Sequence, residues 1–299
     1  MIRSTLKNNS HRVENINDFS LIFQQPANVK ILGHYWQDMN IQISLIHHQD
    51  EFRLVEVTNT IDALLRGLKE YHTIERSYFY YQPKLSKLDP IKYLGLQFVQ
   101  YSFKRKWNKY ISEERPQHYE IFIKDNSTLA RASIERYLRH KHLLAWRHFI
   151  QSESDYLLVL EDDCYLKVDS VERLHKIILS TAKFDSRVPQ YIDLAGGFPL
   201  KAVLGNVAST WITSDLEKPE LAISNTTCCY LINRASALVF CDLAESSEVF
   251  EALPIDWFLN AIFLTLHETE AELICLHSSP PVFIHGSMGG SLASSVQVV

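Results

Sequence analysis

The stretch DYLLVLEDDCYL, residues 155–166, sets an uninterrupted apolar run directly before three consecutive acids. A short apolar run of this kind predicts a strand that is buried on both faces, as strands of a parallel sheet are. Glu161, Asp162 and Asp163 would then stand at the carboxyl end of that strand. Because ligands of open parallel sheets bind outside the carboxyl ends of the strands, we expect a functional site at these acids.

The segments on either side of this strand predict alternating strands and helices. Residues 44–68 predict a strand and then a helix, since their apolar residues recur with the spacing of one helix face. A strand at 118–125 and a helix from a candidate N-cap at Ser127 precede the acidic strand. This order favours an α/β fold built on a parallel sheet. Further elements are predicted at 171–184 (helix), 190–196 (strand), 226–246 (strand, then helix) and 253–266 (helix), and the tail from Leu276 is predicted as a loop.

Composition indicates a globular protein of a reducing compartment. The chain has 299 residues, 46% of them hydrophobic, which suffices for a sizeable core in one or two domains. Its formal net charge of −5 argues against nucleic-acid binding by the whole chain. The five cysteines show no C-x-x-C spacing, and the adjacent Cys228 and Cys229 are expected to fill a core strand. No apolar run approaches the roughly 20 residues of a membrane span, and the N-terminus lacks a signal-like apolar stretch, so we expect a cytoplasmic protein.

The acids at 161–163 suggest a cation site. Side chains alternate along an extended chain, so Glu161 and Asp163 would project to one side and Asp162 to the other. Two carboxylates on one side repel each other unless a cation lies between them, and Mg²⁺ or Mn²⁺ prefers oxygen ligands of this kind. Such a site leaves positions open for the phosphates of a nucleotide diphosphate. The alternative is a solvated acidic turn in which Asp162 or Asp163 caps the next helix.

Two residues near the C-terminus are further candidates. Asp256 falls in the first turn of a predicted helix, where it is either a general base or an N-cap stabilised by the helix dipole. His285 lies in a glycine-rich segment, and imidazole is a good ligand for Mn²⁺-type ions. Gly286, Gly289 and Gly290 would let backbone amides approach a phosphate.

Five segments, in the same order along the chain, resemble glycosyltransferase family 25, the bacterial lipooligosaccharide galactosyltransferase group. The resemblance covers about residues 127–295, and Lys141 stands where the family has a serine. The segments are KHLLAW (141–146), with His142 at the family's histidine position, YLLVLEDD (156–163), CCYLINRASA (228–237), PIDWFL (254–259) and PPVFIHGSMGGSLASS (280–295).

The resemblance implies a GT-A-like fold. In this α/β class, a Rossmann-type mixed, mostly parallel sheet is flanked by helices. The whole chain, 1–299, would form one domain, with residues 1–126 as a divergent nucleotide-binding half and 127–299 as the metal and acceptor half. The first half carries an insertion rich in basic and aromatic residues between Lys84 and Lys109. That insertion is either a helix with tyrosines against the core and solvated basic residues, or a surface that binds the acceptor or the inner face of the membrane.

The activity implied is metal-dependent, inverting transfer of a sugar, galactose on family grounds, from a UDP-sugar to a hydroxyl of a lipooligosaccharide, capsule or other surface glycan. Mn²⁺ or Mg²⁺ would be held by Asp163, with Glu161 near the ribose or the water shell of the metal and His285 completing the site. Asp256 would be the general base. The remaining nucleotide contacts would come from Asp162, His142, Gly286 and Ser287.

Two other functions fit parts of the pattern. A metal-dependent phosphohydrolase or nucleotidyltransferase also places acids at strand ends, and Asp193 would be its further carboxylate. A sugar-binding module that keeps the GT-A-like fold without activity is the non-enzyme alternative, since a fold alone does not determine function. The partners expected for the transferase are a nucleotide-sugar donor and a glycan or glycolipid acceptor.

Overall fold

The computed structural model describes residues 39–47, 51–79, 90–111, 129–200, 208–246 and 249–287. The strands in these ranges are β1 (Asn40–Ile46), β2 (Thr73–Phe79), β3 (Tyr156–Glu161), β4 (Cys164–Leu166), β5 (Gln190–Asp193), β6 (Ser209–Trp211), β7 (Leu216–Pro219), β8 (Cys229–Asn233), β9 (Ile274–Ser278) and β10 (Phe283–His285). The helices are α1 (Glu51–Leu68), α2 (Pro90–Ile111), α3 (Leu129–Gln151), α4 (Ser170–Thr181), α5 (Arg234–Ser246), α6 (Val249–Ala252) and α7 (Ile255–Glu268).

The strands form a mixed, mostly parallel sheet, which confirms the predicted fold class. Within the described ranges its order is β2–β1–β3–β8–β5–β9–β7–β6. The pairings place β1, β2, β3, β5, β6 and β9 in one direction and β7 and β8 in the other. The insertion of antiparallel β8 between β3 and β5 is not evident from the sequence. All five of its residues are buried, so no alternation of apolar and polar residues marks its direction.

Strand β3 is buried on both faces, as its apolar run predicts. Leu157 and Val159 belong to one apolar cluster, together with side chains of α3, α5 and α7. Leu158 and Leu160 belong to a second cluster, which includes side chains of α1 and α4. These four side chains are fully buried, and each contributes roughly 1.5–3 kcal/mol relative to exposure. Helices therefore cover both faces of the sheet and fix the carboxyl end of β3.

The parallel strands bring the carboxyl ends of several strands to one edge of the sheet. Glu161 pairs with Ile46 at the end of β1, and Asp193 at the end of β5 pairs with His277 of β9. Because β8 runs the other way, it begins at this edge, and Cys229 pairs with Leu160. The residues just before β8 therefore lie beside the acidic end of β3.

The predicted C-terminal loop is wrong in two places. Residues 274–278 form β9 in the middle of the sheet order, and 283–285 form β10, which pairs antiparallel with β4. Both segments are short and flank the serine–proline stretch 278–281, whose turn residues conceal the strands. The pairing of β10 with β4 places His285 opposite Cys164 and thus beside the acidic turn.

Helix α2 includes most of the insertion rich in basic and aromatic residues between Lys84 and Lys109. Leu96, Phe103 and Trp107 are buried, whereas Tyr101 is exposed, so only part of the expected arrangement of tyrosines against the core is present. No helix within the described part of the chain is both long and apolar enough to span a bilayer. The predictions for residues 84–89, 118–125, Ser127, Gly289 and Gly290 lie outside the described residues.

The proposed boundary between 1–126 and 127–299 stays a prediction. Strands β1 and β2 come from the first part and β3 from the second, and they pair within one sheet.

Candidate functional site

The chain turns immediately after Glu161. Strand β3 ends at that residue, Asp162 and Asp163 form a turn, and β4 begins at Cys164. The expectation of an extended chain through Asp163 is therefore wrong, and the two-residue alternation of side chains stops at Glu161. As a consequence, Glu161 and Asp163 have different hydrogen-bond partners.

Glu161 is anchored by buried groups of the protein. Its Oε1 lies 3.2 Å from His142 Nε2 and accepts a hydrogen bond from Thr227 Oγ1 at 2.5 Å. The other ring nitrogen, His142 Nδ1, is 2.8 Å from the Tyr230 hydroxyl, to which Trp146 Nε1 donates at 2.9 Å. Since Trp146 donates to the Tyr230 oxygen, the hydroxyl proton can go to Nδ1, which leaves the proton of a neutral His142 on Nε2, facing Glu161.

These contacts keep Glu161 ionised. Burial by itself raises the pKa of this carboxyl group, because it disfavours the charged form. The hydrogen bonds from His142 and Thr227 oppose burial and help to leave the pKa of Glu161 below its ordinary value. Glu161 is thus a carboxylate held in one orientation at the edge of the sheet.

Lys141 supplies a positive charge that the sequence analysis did not include in the site. It is buried on α3 and donates from Nζ to the carbonyl of His47 at 2.6 Å, just after β1. Burial lowers its pKa, while the nearby Asp162 and Glu161 act in the opposite direction. The lysine therefore balances part of the acidic turn and ties α3 to β1. The signal available in the sequence was its position directly before His142.

Asp163 and His285 meet at one end of the two-stranded antiparallel sheet formed by β4 and β10. His285 Nδ1 lies 3.5 Å from Asp163 Oδ2, and Ser287 Oγ lies 2.5 Å from the same oxygen and 3.1 Å from His285 Nδ1. Asp163 Oδ1 is buried and finds no hydrogen-bond partner among the described residues. The structure thus brings together three of the residues predicted for the site and leaves one carboxylate oxygen unsatisfied.

Gly286 allows this close approach. Its amide donates to the carbonyl of Asp163 at 2.8 Å. A Cβ at this position would lie 2.5 Å from Cε2 of Tyr165 and 2.8 Å from the carbonyl oxygen of Asp163. Only glycine fits at this position without a shift of Tyr165 or of the Asp163 backbone. Because its amide is already bonded to Asp163, this group is not available to a phosphate in the present conformation.

Cys228 joins Asp163 and His285 in a group of side chains that could hold a metal ion. One candidate ligand atom from each of the three residues lies within 4.8 Å of the other two. Glu161, Asp162 and Asp193 are not part of this group, which was found among the described residues. The unsatisfied oxygen of Asp163, together with an imidazole and a thiol, fits a divalent cation. Burial raises the pKa of the Cys228 thiol well above its ordinary value.

The segment that leads into β8 is strained. Thr226 has a φ of 137°, a region that L-residues rarely adopt and that costs on the order of 1–3 kcal/mol. Its Oγ1 is buried without a hydrogen-bond partner within the described ranges. This conformation immediately precedes Thr227, which donates to Glu161, and Cys228, which belongs to the candidate metal-ligand group.

Asp193 supports the loops around that segment. Its Oδ1 accepts from the amide of Gly196 at 2.8 Å and its Oδ2 from the amide of Asn225 at 3.3 Å. Oδ2 also lies 3.7 Å from His277 Nδ1. Burial raises the pKa of Asp193 to about 7 and lowers that of His277 to about 4, because each is fully enclosed and the neutral form is favoured.

Asp256 lies in the first turn of α7, but it is not the N-cap. That position is Pro254, which makes no side-chain cap hydrogen bond. The amide of Trp257 donates to Asp256 Oδ1 at 3.0 Å. Phe258, in the same turn, stacks on Trp146 with ring centroids 5.9 Å apart. The start of α7 therefore packs against the helix that carries His142, the partner of Glu161.

Comparisons with known proteins give remote likenesses. No protein-family model matches the chain, and no curated protein sequence is significantly similar to it. One similar solved structure is a glycosyltransferase involved in the glycosylation of the major capsid of PBCV-1, with 11% identity and a TM-score of 0.35 over 86% of this chain and 94% of the other. Another is a Bacillus anthracis protein assigned as a glucose-1-phosphate thymidylyltransferase, in complex with a sucrose, with 10% identity and a TM-score of 0.35 over 87% and 94%.

Proposed function

We propose that the protein is a metal-dependent, inverting glycosyltransferase. It would move a sugar, with galactose as the first candidate, from a UDP-sugar to a hydroxyl of a surface glycan or glycolipid. The observation that carries this proposal is the meeting of Asp163, His285 and Ser287 beside an anchored Glu161 at the carboxyl edge of a mostly parallel sheet. The ordered resemblance of five sequence segments to glycosyltransferase family 25 supports it.

Asp163 and His285 would hold the cation. The buried Oδ1 of Asp163, which has no hydrogen-bond partner among the described residues, is the atom best suited to bind it. Mn²⁺ and Mg²⁺ are the ions that the sequence pattern suggests, and the bound ion would stabilise the charge that develops on the departing diphosphate. Ser287 donates to the other oxygen and fixes the orientation of the carboxylate.

Glu161 would accept hydrogen bonds from the nucleotide ribose. His142 and Thr227 fix it through Oε1, so that its orientation is set before any ligand arrives. Preorganisation of this kind lowers the entropy cost of binding. In this account His142, Gly286 and Ser287 act on the nucleotide through the two carboxylates that they position.

Asp256 would be the general base. As the acceptor oxygen forms its bond to the anomeric carbon, Asp256 takes the hydroxyl proton and the bond to the diphosphate breaks, which inverts the configuration. Its place in the first turn of α7 favours the charged form, since a carboxylate is stabilised at a helix N-terminus. The packing of that turn against α3 holds it close to the helix that supports Glu161.

Helix α2 would contact the membrane face that carries a glycolipid acceptor. Its sequence contains five lysine or arginine residues and no acid. Leu94, Phe98 and Tyr101 follow one another at helical spacing and are 64%, 73% and 60% exposed. A basic helix with an exposed apolar row is suited to the anionic cytoplasmic surface of a membrane.

A panel of nucleotide sugars, each with Mn²⁺ and without it, tests the proposal. We expect one UDP-sugar to raise the thermal midpoint in the presence of metal and to be consumed only when a glycan acceptor is added. Rapid metal-dependent hydrolysis without an acceptor would favour the phosphohydrolase. Binding without turnover, for every sugar and acceptor tested, would favour an inactive sugar-binding module.

A further inference from the structure

We propose that Cys228 is a third protein ligand of the cation held by Asp163 and His285, and that the site therefore selects a borderline-soft ion such as Zn²⁺ over Mg²⁺. The three candidate ligand atoms lie within 4.8 Å of one another. Cys228 is fully buried, and its carbonyl accepts a hydrogen bond from the amide of Glu161 at 2.8 Å, which fixes it beside the acidic turn. This inference deepens the proposed function and rests on it for the use of the metal.

The partners of the neighbouring acids favour Cys228 over Glu161 as the third ligand. Glu161 is anchored through Oε1, and Lys141 lies close to both Glu161 and Asp162. Asp163 is only 7% exposed and keeps an oxygen without a hydrogen-bond partner within the described ranges. An unsatisfied buried acceptor destabilises the folded chain, and a cation bound between Asp163, Cys228 and His285 would give it a partner.

The donor set determines which metal is preferred. Mg²⁺ requires near-octahedral coordination by oxygen and is rarely held by sulfur. A carboxylate, an imidazole and a thiolate are ligands that Zn²⁺ accepts, and three protein ligands leave the fourth tetrahedral position open for a substrate oxygen. On binding, the S–H bond of Cys228 breaks, a sulfur–metal bond forms, and the proton passes to water.

The chain keeps an unfavourable backbone conformation next to this cysteine. Thr226, with its φ of 137°, is two residues before Cys228. Strain of this kind persists where the surrounding structure imposes it, often at functional sites. The strained segment delivers Thr227 to Glu161 and Cys228 to Asp163 and His285.

Two other thiols lie close enough to serve as controls for the assignment. Cys164 and Cys229 both interact with Cys228 or with each other through their side chains. Neither belongs to the cluster of ligand atoms found in the described part of the chain. Cys241 is also a buried free cysteine, but it lies on α5, far along the chain from the turn at Asp162 and Asp163. It provides a matched control for substitution of Cys228.

Titration of the metal-free full-length chain with Co²⁺, in the absence of nucleotide, tests the inference. We expect one bound cobalt ion with near-ultraviolet thiolate-to-cobalt charge-transfer absorption. Cys228→Ser should abolish that absorption. It should also weaken zinc binding by at least roughly 10–100-fold, which is the loss seen when a residue that only hydrogen-bonds to a metal ligand is removed. Its Mg²⁺ affinity should not change, and Cys241→Ser should behave as the unmodified chain.

Absence of the absorption in the unmodified chain, or its persistence in Cys228→Ser, overturns the inference. Its loss in Cys164→Ser or Cys229→Ser but not in Cys228→Ser assigns the thiol elsewhere and also overturns it. Circular dichroism of the metal-free variants checks that each is folded. If Cys228→Ser does not fold, weakening of the absorption in His285→Ala supports the inference and an unchanged absorption contradicts it.

The outcome is separable from that for the proposed function. Sugar transfer supported by Mn²⁺ or Mg²⁺, without a cobalt–thiolate absorption, leaves the transferase standing and removes the thiol ligand. The absorption without any sugar transfer keeps Cys228 as a metal ligand and removes the transferase.

Discussion

His142 Nε2 lies 3.2 Å from Glu161 Oε1, and this contact joins helix α3 to the carboxyl end of β3. The contact depends on a second layer, since the Tyr230 hydroxyl lies between His142 Nδ1 and the indole N–H of Trp146. Tyr230 is on β8, the antiparallel strand next to β3. The orientation of Glu161 is therefore set jointly by a helix and by a neighbouring strand.

Tyr230→Phe removes the hydroxyl between His142 and Trp146. We expect a loss of about 1–3 kcal/mol in the free energy of unfolding, because buried polar groups lose their partner, and weaker nucleotide binding. Urea unfolding and calorimetry measure the two effects. Tyr191→Phe is the matched control, because Tyr191 is buried on β5 and its hydroxyl lies 3.1 Å from Ser224 Oγ. Equal losses of nucleotide affinity in both variants would contradict the role given to Tyr230.

Asp256→Asn separates the general base from a structural carboxylate. We expect sugar transfer to fall by roughly 10²–10⁴-fold, the usual contribution of general base catalysis, with nucleotide binding nearly intact. A product assay and calorimetry give the two values. Asp242→Asn, an exposed acid on α5, should change neither. Parallel loss of binding and transfer in Asp256→Asn would identify a structural role instead.

Gly197 and Thr226 should be energetically coupled. A Cβ on Gly197 would overlap the methyl group of Thr226, so Gly197→Ala should destabilise the fold by about 1–3 kcal/mol. Thr226→Gly removes that methyl group and the energetic penalty of the positive φ, because glycine has no Cβ, and should stabilise the fold by about 1 kcal/mol. In the double variant the cost of Gly197→Ala should shrink by at least about 0.5 kcal/mol. Additive changes in urea unfolding would contradict the coupling.

The Asp193–His277 pair should make only a small net contribution to the pH dependence of the free energy of unfolding between about pH 4 and pH 6.5. The pKa of Asp193 is raised to about 7, so protonated Asp193 contributes to the free energy of unfolding below about pH 4. This contribution is lost as the pH rises to 7. The pKa of His277 is lowered to about 4, so its contribution is lost as the pH falls from about 6.5 to 4. Between these values the two effects oppose each other.

Removing one partner should expose the effect of the other. The stability of Asp193→Asn, relative to the unmodified chain, should rise by up to about 1.4 kcal/mol per pH unit between about pH 4.5 and pH 6.5. His277→Gln should show the opposite slope. Urea midpoints across this range measure both, and curves parallel to that of the unmodified chain would refute the assignment.

The sequence predicts the features that depend on local pattern. The apolar run before Glu161 identifies a strand buried on both faces, because an uninterrupted run of that length has few alternatives. The amphipathic pattern at 171–184 likewise predicts α4, which spans Ser170–Thr181. Both are decided by neighbouring residues in the chain.

Features that depend on sheet order are not accessible in this way. Cys228 looks like a core residue because nothing near it in the chain indicates that β8 runs antiparallel beside β3. Lys141 looks like a departure from a family motif until its ammonium is seen bonded to the His47 carbonyl at 2.6 Å. The turn at Asp162 and Asp163 ends the alternation that the sequence argument extended by two residues.

Calorimetric titration of UDP into the full-length chain and into Asp163→Asn, with and without Mn²⁺, tests whether Asp163 holds the cation that binds the diphosphate. We expect the unmodified chain to bind UDP more tightly with the metal and Asp163→Asn to lose this gain. Asp169→Asn, which changes an exposed acid six residues further along, should keep it. Metal-dependent binding of equal strength in Asp163→Asn would show that Asp163 does not hold the cation.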